Sequence, residues 1–189
     1  MVVHTVGHST LALDDFVALL RAHGTEAVAD VRRFPASRRH PHFAREALAA
    51  ALAGVGIGYA WLPGLGGRRE GRAGSPHVAW KNPSFRAYAD HMETAEFAAE
   101  LARLLELAAT RATAILCAEA VPWRCHRQLV ADALVARGIE VRHIVSAAPP
   151  RAAPPDRVRA PRGRARGLRR RSARSHAGLS PRAYPADRG

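Results

Sequence analysis

Cysteine is nearly absent: 189 residues hold only Cys117 and Cys125, and no Cys-x-x-Cys pair occurs. That excludes a scaffold stapled by several disulfides. No apolar run approaches the roughly 18 residues that cross a bilayer. The opening Met1-Val2-Val3-His4-Thr5 has neither the basic region nor the long apolar core of a signal peptide. A membrane partner is therefore not expected, and the expected location is the cytoplasm. In a reducing compartment such a cysteine pair is more readily catalytic, metal-binding or buried than a structural disulfide. Also missing is a Gly-x-Gly-x-x-Gly fingerprint after the first strand, where Gly7 stands alone, so no cofactor is expected.

What is present in excess is positive charge, +13 in all, and its distribution decides its meaning. Residues 147–189 contain 12 Arg and 2 Asp; subtracting them from 29 basic and 16 acidic residues leaves 17 and 14 for residues 1–146. The first segment is thus close to balanced, with enough length for one domain and its core. The second, with Pro149-Pro150-Arg151 and Arg169-Arg170-Arg171, has too few large apolar residues to offset the entropy of ordering, and is expected to be a disordered tail. It admits three readings: a solvated extension, a basic arm that binds RNA or DNA phosphates, or the product of a frame shift in a GC-rich gene, since Arg, Ala, Pro and Gly have GC-rich codons.

Within residues 1–146 the periodicity alternates. A strand at 2–6 ends at Gly7. Phe16, Leu19, Leu20 and His23 then fall on one helical face over residues 14–23, with Asp14 and Asp15 in the first turn and Gly24 beyond the end. A strand at 26–31 follows, so strand, helix and strand fit one right-handed crossover unit. Leu48, Leu52 and Val55 mark a helix and residues 57–62 a strand. Asn82-Pro83 opens a helix with Phe85, Tyr88, Ala89 and Met92, and Phe97, Leu101, Leu104, Leu105 and Ala108 mark a longer one. A strand at 113–116, a helix at about 124–137 closed by Gly138 and a strand at 141–145 complete the pattern. The expected fold is α/β: a single open, mostly parallel sheet with helices on both faces.

Ligands of such sheets bind beyond the carboxyl ends of the strands. There the sequence places Gly7-His8-Ser9; Asp30-Val31-Arg32 with Arg38 further on; Gly64 to Gly67 with Arg68 and Arg69; and Cys117-Ala118-Glu119, followed by Cys125-His126-Arg127 in the next helix. At a helix start aligned peptide dipoles stabilise a thiolate, and His126 or Arg127 would lower a thiol's pKa further. Basic residues are disfavoured there unless something anionic is present. Asp30 closes an apolar strand, so a polar role such as holding Arg32 or His8 is expected. His8 and Ser9 offer backbone N–H groups to an anion, although Ser9 as a helix cap explains it equally well.

These segments, in order and over roughly residues 3–145, resemble the DUF488 family, a domain of unknown function. The resemblance implies a compact α/β domain with the Cys-Glu and Cys-His-Arg residues as its signature, and it supplies no reaction. Two functional classes remain. In one, an enzyme acts on an anionic, phosphate- or nucleotide-like substrate: Cys117 or Cys125 is the nucleophile, Glu119 or His126 moves protons, and Arg32, Arg38 and Arg127, with His8, Ser9 and Asp30, bind. In the other, a nucleic-acid-binding or repair accessory protein acts without catalysis. A strand ending Asp30-Val31-Arg32 is also seen in rhodanese-like domains, but six residues separate Cys117 from Arg124, one more than a phosphate-cradling loop of that type has. Metal is not expected, because an adjacent Cys and His rarely both reach one ion.

Overall fold

The computed structural model describes residues 1–36 and 38–146, and the backbone of 151–152. The elements run β1 (Val2–Gly7), α1 (Leu13–Ala22), β2 (Ala27–Asp30), α2 (Arg45–Gly54), β3 (Gly58–Trp61), α3 (Pro83–His91), α4 (Ala95–Thr110), β4 (Thr113–Cys117), α5 (Arg127–Val135), β5 (Glu140–Ile144) and β6 (Arg151–Ala152). Short 3-10 turns at Pro41–Phe43, Pro63–Leu65 and Pro122–Arg124 each begin at a proline, whose fixed φ suits a first helical position.

Local signals explain most boundaries. Asn82 accepts from the Ser84 and Phe85 N–H groups ahead of Pro83, and Thr94 accepts from Phe97, so two side chains satisfy otherwise orphaned donors at the starts of α3 and α4. Gly24 and Gly138, at φ +62° and +77°, turn the chain after α1 and α5. The last helix is shorter than its periodicity suggests. Pro122 opens a 3-10 turn and Cys125 is extended (φ −133°, ψ 143°), so Cys125 lies outside α5 and His126 is its N-cap.

The sheet has the order β3-β2-β4-β1-β5-β6, with β1 to β5 all parallel and Arg151–Ala152 antiparallel to β5. Otherwise the tail expected to be disordered lies outside the described residues. One face packs Val6, Val28 and Leu116 against Phe16 and Leu20 of α1 and Leu48 and Leu52 of α2. The other packs Val3, Ala29 and Ile115 against Tyr88 of α3, Leu101 and Leu104 of α4 and Leu129 to Leu134 of α5. At roughly 1.5–3 kcal/mol for each large apolar side chain removed from water, these two layers are the main stabilising contribution.

The packing fixes where the chain diverges. The connection leaving β1 crosses one face through α1, and the connection leaving its neighbour β4 crosses the other through α5. A crevice therefore opens above the carboxyl ends of β1 and β4, the position at which open parallel sheets take ligands. Among the described residues no helix is long and apolar enough to cross a membrane.

Candidate functional site

The floor of the crevice is held by a buried ion pair. β2 ends at Asp30, which is 0 % exposed, and the chain turns so that Arg32 folds back onto it. Asp30 Oδ1 accepts from the Arg32 backbone N–H at 3.0 Å and from Nε at 2.8 Å. Oδ2 accepts from Arg32 Nη2 at 2.5 Å and from the Tyr59 hydroxyl at 2.6 Å. Arg32 also donates to the Phe43 carbonyl at 2.8 Å. With four bonds on one carboxylate, the pair meets the condition under which a buried charge is tolerated. Burial, then the carboxylate beside it, pushes the Tyr59 hydroxyl well above its usual range, so it stays a donor.

Beside this pair, the His8 ring stacks on Phe43 at 4.0 Å. His8 Nδ1 lies 3.0 Å from the Ser9 carbonyl, which only accepts, so Nδ1 carries the proton and Nε2 accepts from Arg32 at 3.3 Å. Burial, followed by the adjacent guanidinium, pushes the His8 pKa down to about 4. Beyond the strand ends the His8 and Ser9 N–H groups donate to the Cys117 and Ala118 carbonyls at 3.1 and 2.8 Å. They extend the β1–β4 ladder, so neither is free for an anion as the sequence suggests.

Above the β4 end sit both cysteines and His126. His126 Nε2 lies 3.1 Å from the Val31 carbonyl, which makes Nε2 the protonated nitrogen and turns the Nδ1 lone pair toward sulfur: 3.7 Å to Cys125 Sγ and 4.0 Å to Cys117 Sγ. The Cys125 thiol as donor, opposed by burial and seconded by the neighbouring His126 ring, holds the Cys117 thiol well below the ordinary thiol range. The Glu119 peptide N–H adds to this stabilisation. Cys125 moves the other way, raised first by its hydrogen bond to Cys117 and then by burial. The Arg127 N–H, at the helix start, still reaches Cys125 Sγ at 3.5 Å.

A cleft of about 570 Å³ opens over these sulfurs. Of the residues that sequence selects, His8, Ser9, Arg32, Cys117, Glu119, Cys125 and His126 line it, and Asp30 lies beneath it. Arg38 is exposed and does not line the cleft. Arg127 does not line it either: fully buried, it donates to the Glu119 and Ala120 carbonyls at 2.5 and 2.9 Å and so fixes the β4–α5 loop. Arg69 likewise holds the Pro63, Gly64 and Gly66 carbonyls, and of that arginine pair only Arg68 faces the cleft.

Several lining residues lie outside the motifs. Arg33 and Arg124 supply cationic rims, and Tyr88 forms a wall with its ring 5.2 Å from that of His126. Tyr88 reads in sequence as ordinary core on an amphipathic helix. Arg124 is hidden there as a helical position, whereas the 3-10 turn presents it to the cleft. Ser9 and Arg68, at φ +47° and +56°, are non-glycine residues in the left-handed region, and both line the cleft.

A family model described as the domain of unknown function DUF488 matches residues 12–134. No curated protein and no solved structure matches the chain.

Proposed function

The chain belongs to the DUF488 family, and from that premise we propose that it is an enzyme that takes an anionic, phosphate- or nucleotide-like substrate in the cleft and uses the Cys117 sulfur as its nucleophile. One observation carries this reading: on the floor of a 570 Å³ cleft, Cys117 Sγ lies 4.0 Å from His126 Nδ1, whose lone pair is placed to take the thiol proton, with the Cys125 sulfur within 4.8 Å. A thiolate so held is the usual form of an activated cysteine.

The division of labour follows from position. Arg33, Arg68 and Arg124 line the cleft and offer donors to an anion, while Arg32 is spent on Asp30 and Arg127 on carbonyls. As Cys117 Sγ bonds to the electrophilic atom, the bond to the leaving group breaks and its electron pair departs with that group. His126, which takes the Cys117 thiol proton on Nδ1, or Glu119, both on the cleft, supplies the proton it then needs. Cys125 keeps the sulfur anionic between turnovers.

The test is peptide mapping after brief iodoacetamide treatment of the full chain at neutral pH, with and without inorganic phosphate or AMP. Cys117 is expected to be alkylated well ahead of Cys125, and the anions to slow it several-fold. A Cys117 that reacts no faster in the folded protein than Cys125 would remove the nucleophile from this account.

A further inference from the structure

We propose that Cys117, Cys125 and His126 form a three-ligand site for one soft divalent cation, zinc, whose fourth position opens into the cleft. The sulfurs of Cys117 and Cys125 and Nδ1 of His126 all lie within 4.8 Å of one another. A zinc ion about 2.3 Å from sulfur and 2.0–2.1 Å from nitrogen, with tetrahedral angles, needs sulfur–nitrogen separations of roughly 3.5 Å and sulfur–sulfur separations of roughly 3.8 Å. The observed sulfur–nitrogen separations are 3.7 and 4.0 Å and all three ligand atoms lie within 4.8 Å of one another, so side-chain shifts of no more than about 1 Å close the shell.

The local backbone answers the objection that neighbouring Cys and His residues seldom meet on one ion. Cys125 is extended (φ −133°, ψ 143°) and His126 is helical (φ −56°, ψ −22°). The chain bends between them, and the two side chains leave the bend toward the same point. Cys117 arrives from the end of β4, nine positions away in sequence but across the same cleft floor.

Three further features suit a cation. His126 Nε2 is tied to the Val31 carbonyl, the kind of outer bond that orients a metal-bound imidazole and fixes its tautomer. Peptide N–H groups of Arg127 and Glu119 face the two sulfurs and offset part of the charge of a thiolate. A dication with two thiolates and a neutral imidazole carries no net charge, which suits a half-buried place beside the Arg127 guanidinium. Soft sulfur and imidazole donors select zinc over magnesium or calcium.

The consequence rests on the nucleophile reading above. When zinc enters, Cys125 releases its thiol proton to solvent, and the sulfur lone pair of Cys117 that would attack a substrate becomes a metal bond. Cation binding and nucleophilic chemistry exclude each other, so zinc is a reversible off-state of the same site.

Cation-free full chain, prepared with chelator and reductant, is titrated with cobalt(II) and then with zinc while cysteine alkylation is mapped. One equivalent of cobalt is expected to give a thiolate-to-cobalt charge-transfer absorption, which zinc then displaces and which zinc sites built on exposed histidines elsewhere on the chain do not produce. Zinc should slow alkylation of both cysteines at least tenfold, reversed by chelator, and His126→Gln should weaken cobalt binding at least tenfold. No charge-transfer band with stoichiometric cobalt, or alkylation of Cys117 unaffected by zinc, overturns the site while leaving a reactive Cys117 intact. Stoichiometric zinc on a chain whose cation-free Cys117 is inert supports the site and removes the nucleophile reading instead.

Discussion

A Cβ atom added to Gly7 would stand 1.8 Å from the carbonyl oxygen of Glu119 and 2.7 Å from Arg127 Nη1. The last residue of β1 thus lets the loop after β4 fold across it, and the loop carries the peptide N–H that faces Cys117. Neither neighbour is a loose side-chain tip, because Arg127 is buried and bonded to the same carbonyl. Gly7→Ala is therefore expected to destabilise the fold by about 3 kcal/mol or more, at the upper end of overpacking, as a fall in urea midpoint. Any folded fraction should lose the rapid alkylation of Cys117. A variant of wild-type stability and reactivity would contradict the role given to this contact.

Asp30 and Arg32 test the floor of the site separately. Asp30→Asn keeps the size of the side chain but leaves the buried guanidinium without a counter-charge, and removal of one partner of such a pair is expected to destabilise by about 3–5 kcal/mol. Chemical denaturation reads the change. An effect under 1 kcal/mol would mean that the Phe43 carbonyl and the cleft water suffice for Arg32.

Stability should also fall with pH in a defined window. His8 and His143 are both pushed down to about 4, each first by burial and then by a neighbouring guanidinium, Arg32 for His8 and Arg127 for His143. In the unfolded chain each takes a proton near pH 6.5. Between the two values the unfolded state binds more protons, so stability is full above about pH 6.5 and declines as pH falls toward 4, by up to about 3 kcal/mol per histidine. Urea midpoints measured at pH 7, 6, 5 and 4 trace this slope. His143→Gln, which retains a partner for the Thr5 hydroxyl, should remove its own share of this slope, the rest coming from His8 and from His4 and His91, which burial also pushes down.

Arg124 offers the converse experiment, since it is exposed on the 3-10 turn and lines the cleft. Arg124→Ala is expected to leave folding within about 0.5 kcal/mol of wild type while weakening protection of Cys117 by phosphate or AMP several-fold. Unchanged protection would take this arginine out of the anion site.

Much of this arrangement was legible in the sequence. The period of 3.6 residues through Phe16, Leu19, Leu20 and His23, and the apolar strands between helices, sufficed for a parallel sheet covered on both faces. The rule that ligands gather at strand ends then brought His8, Arg32, Cys117 and His126 to one cleft. What escaped depended on which way a side chain turned. Arg127 reads as an anion-binding residue at a helix start, yet two carbonyls of the preceding loop draw it inward. The His8 and Ser9 N–H groups look available until β4 is known to be the neighbour of β1, a pairing that no local pattern announces. The bend at Cys125 depends on the 3-10 turn begun by Pro122, and helical periodicity alone carried that helix back to Arg124.

The place of β4 between β1 and β2 also bears on how the chain is made. A ribosome releases β1, α1 and β2 early, but these two strands are not each other's partners: the slot between them waits for residues 113–117. Until those emerge, both flanking strands keep open inner edges, the kind that pair wrongly or recruit another chain. Closing the slot joins β4 to strands 110 positions (Val3 to Thr113) and 86 positions (Ala27 to Thr113) away, a slow step by the usual dependence on sequence separation. The strand that fills it ends in Cys117, so the event that closes the gap between β1 and β2 is the same one that delivers the sulfur to the cleft.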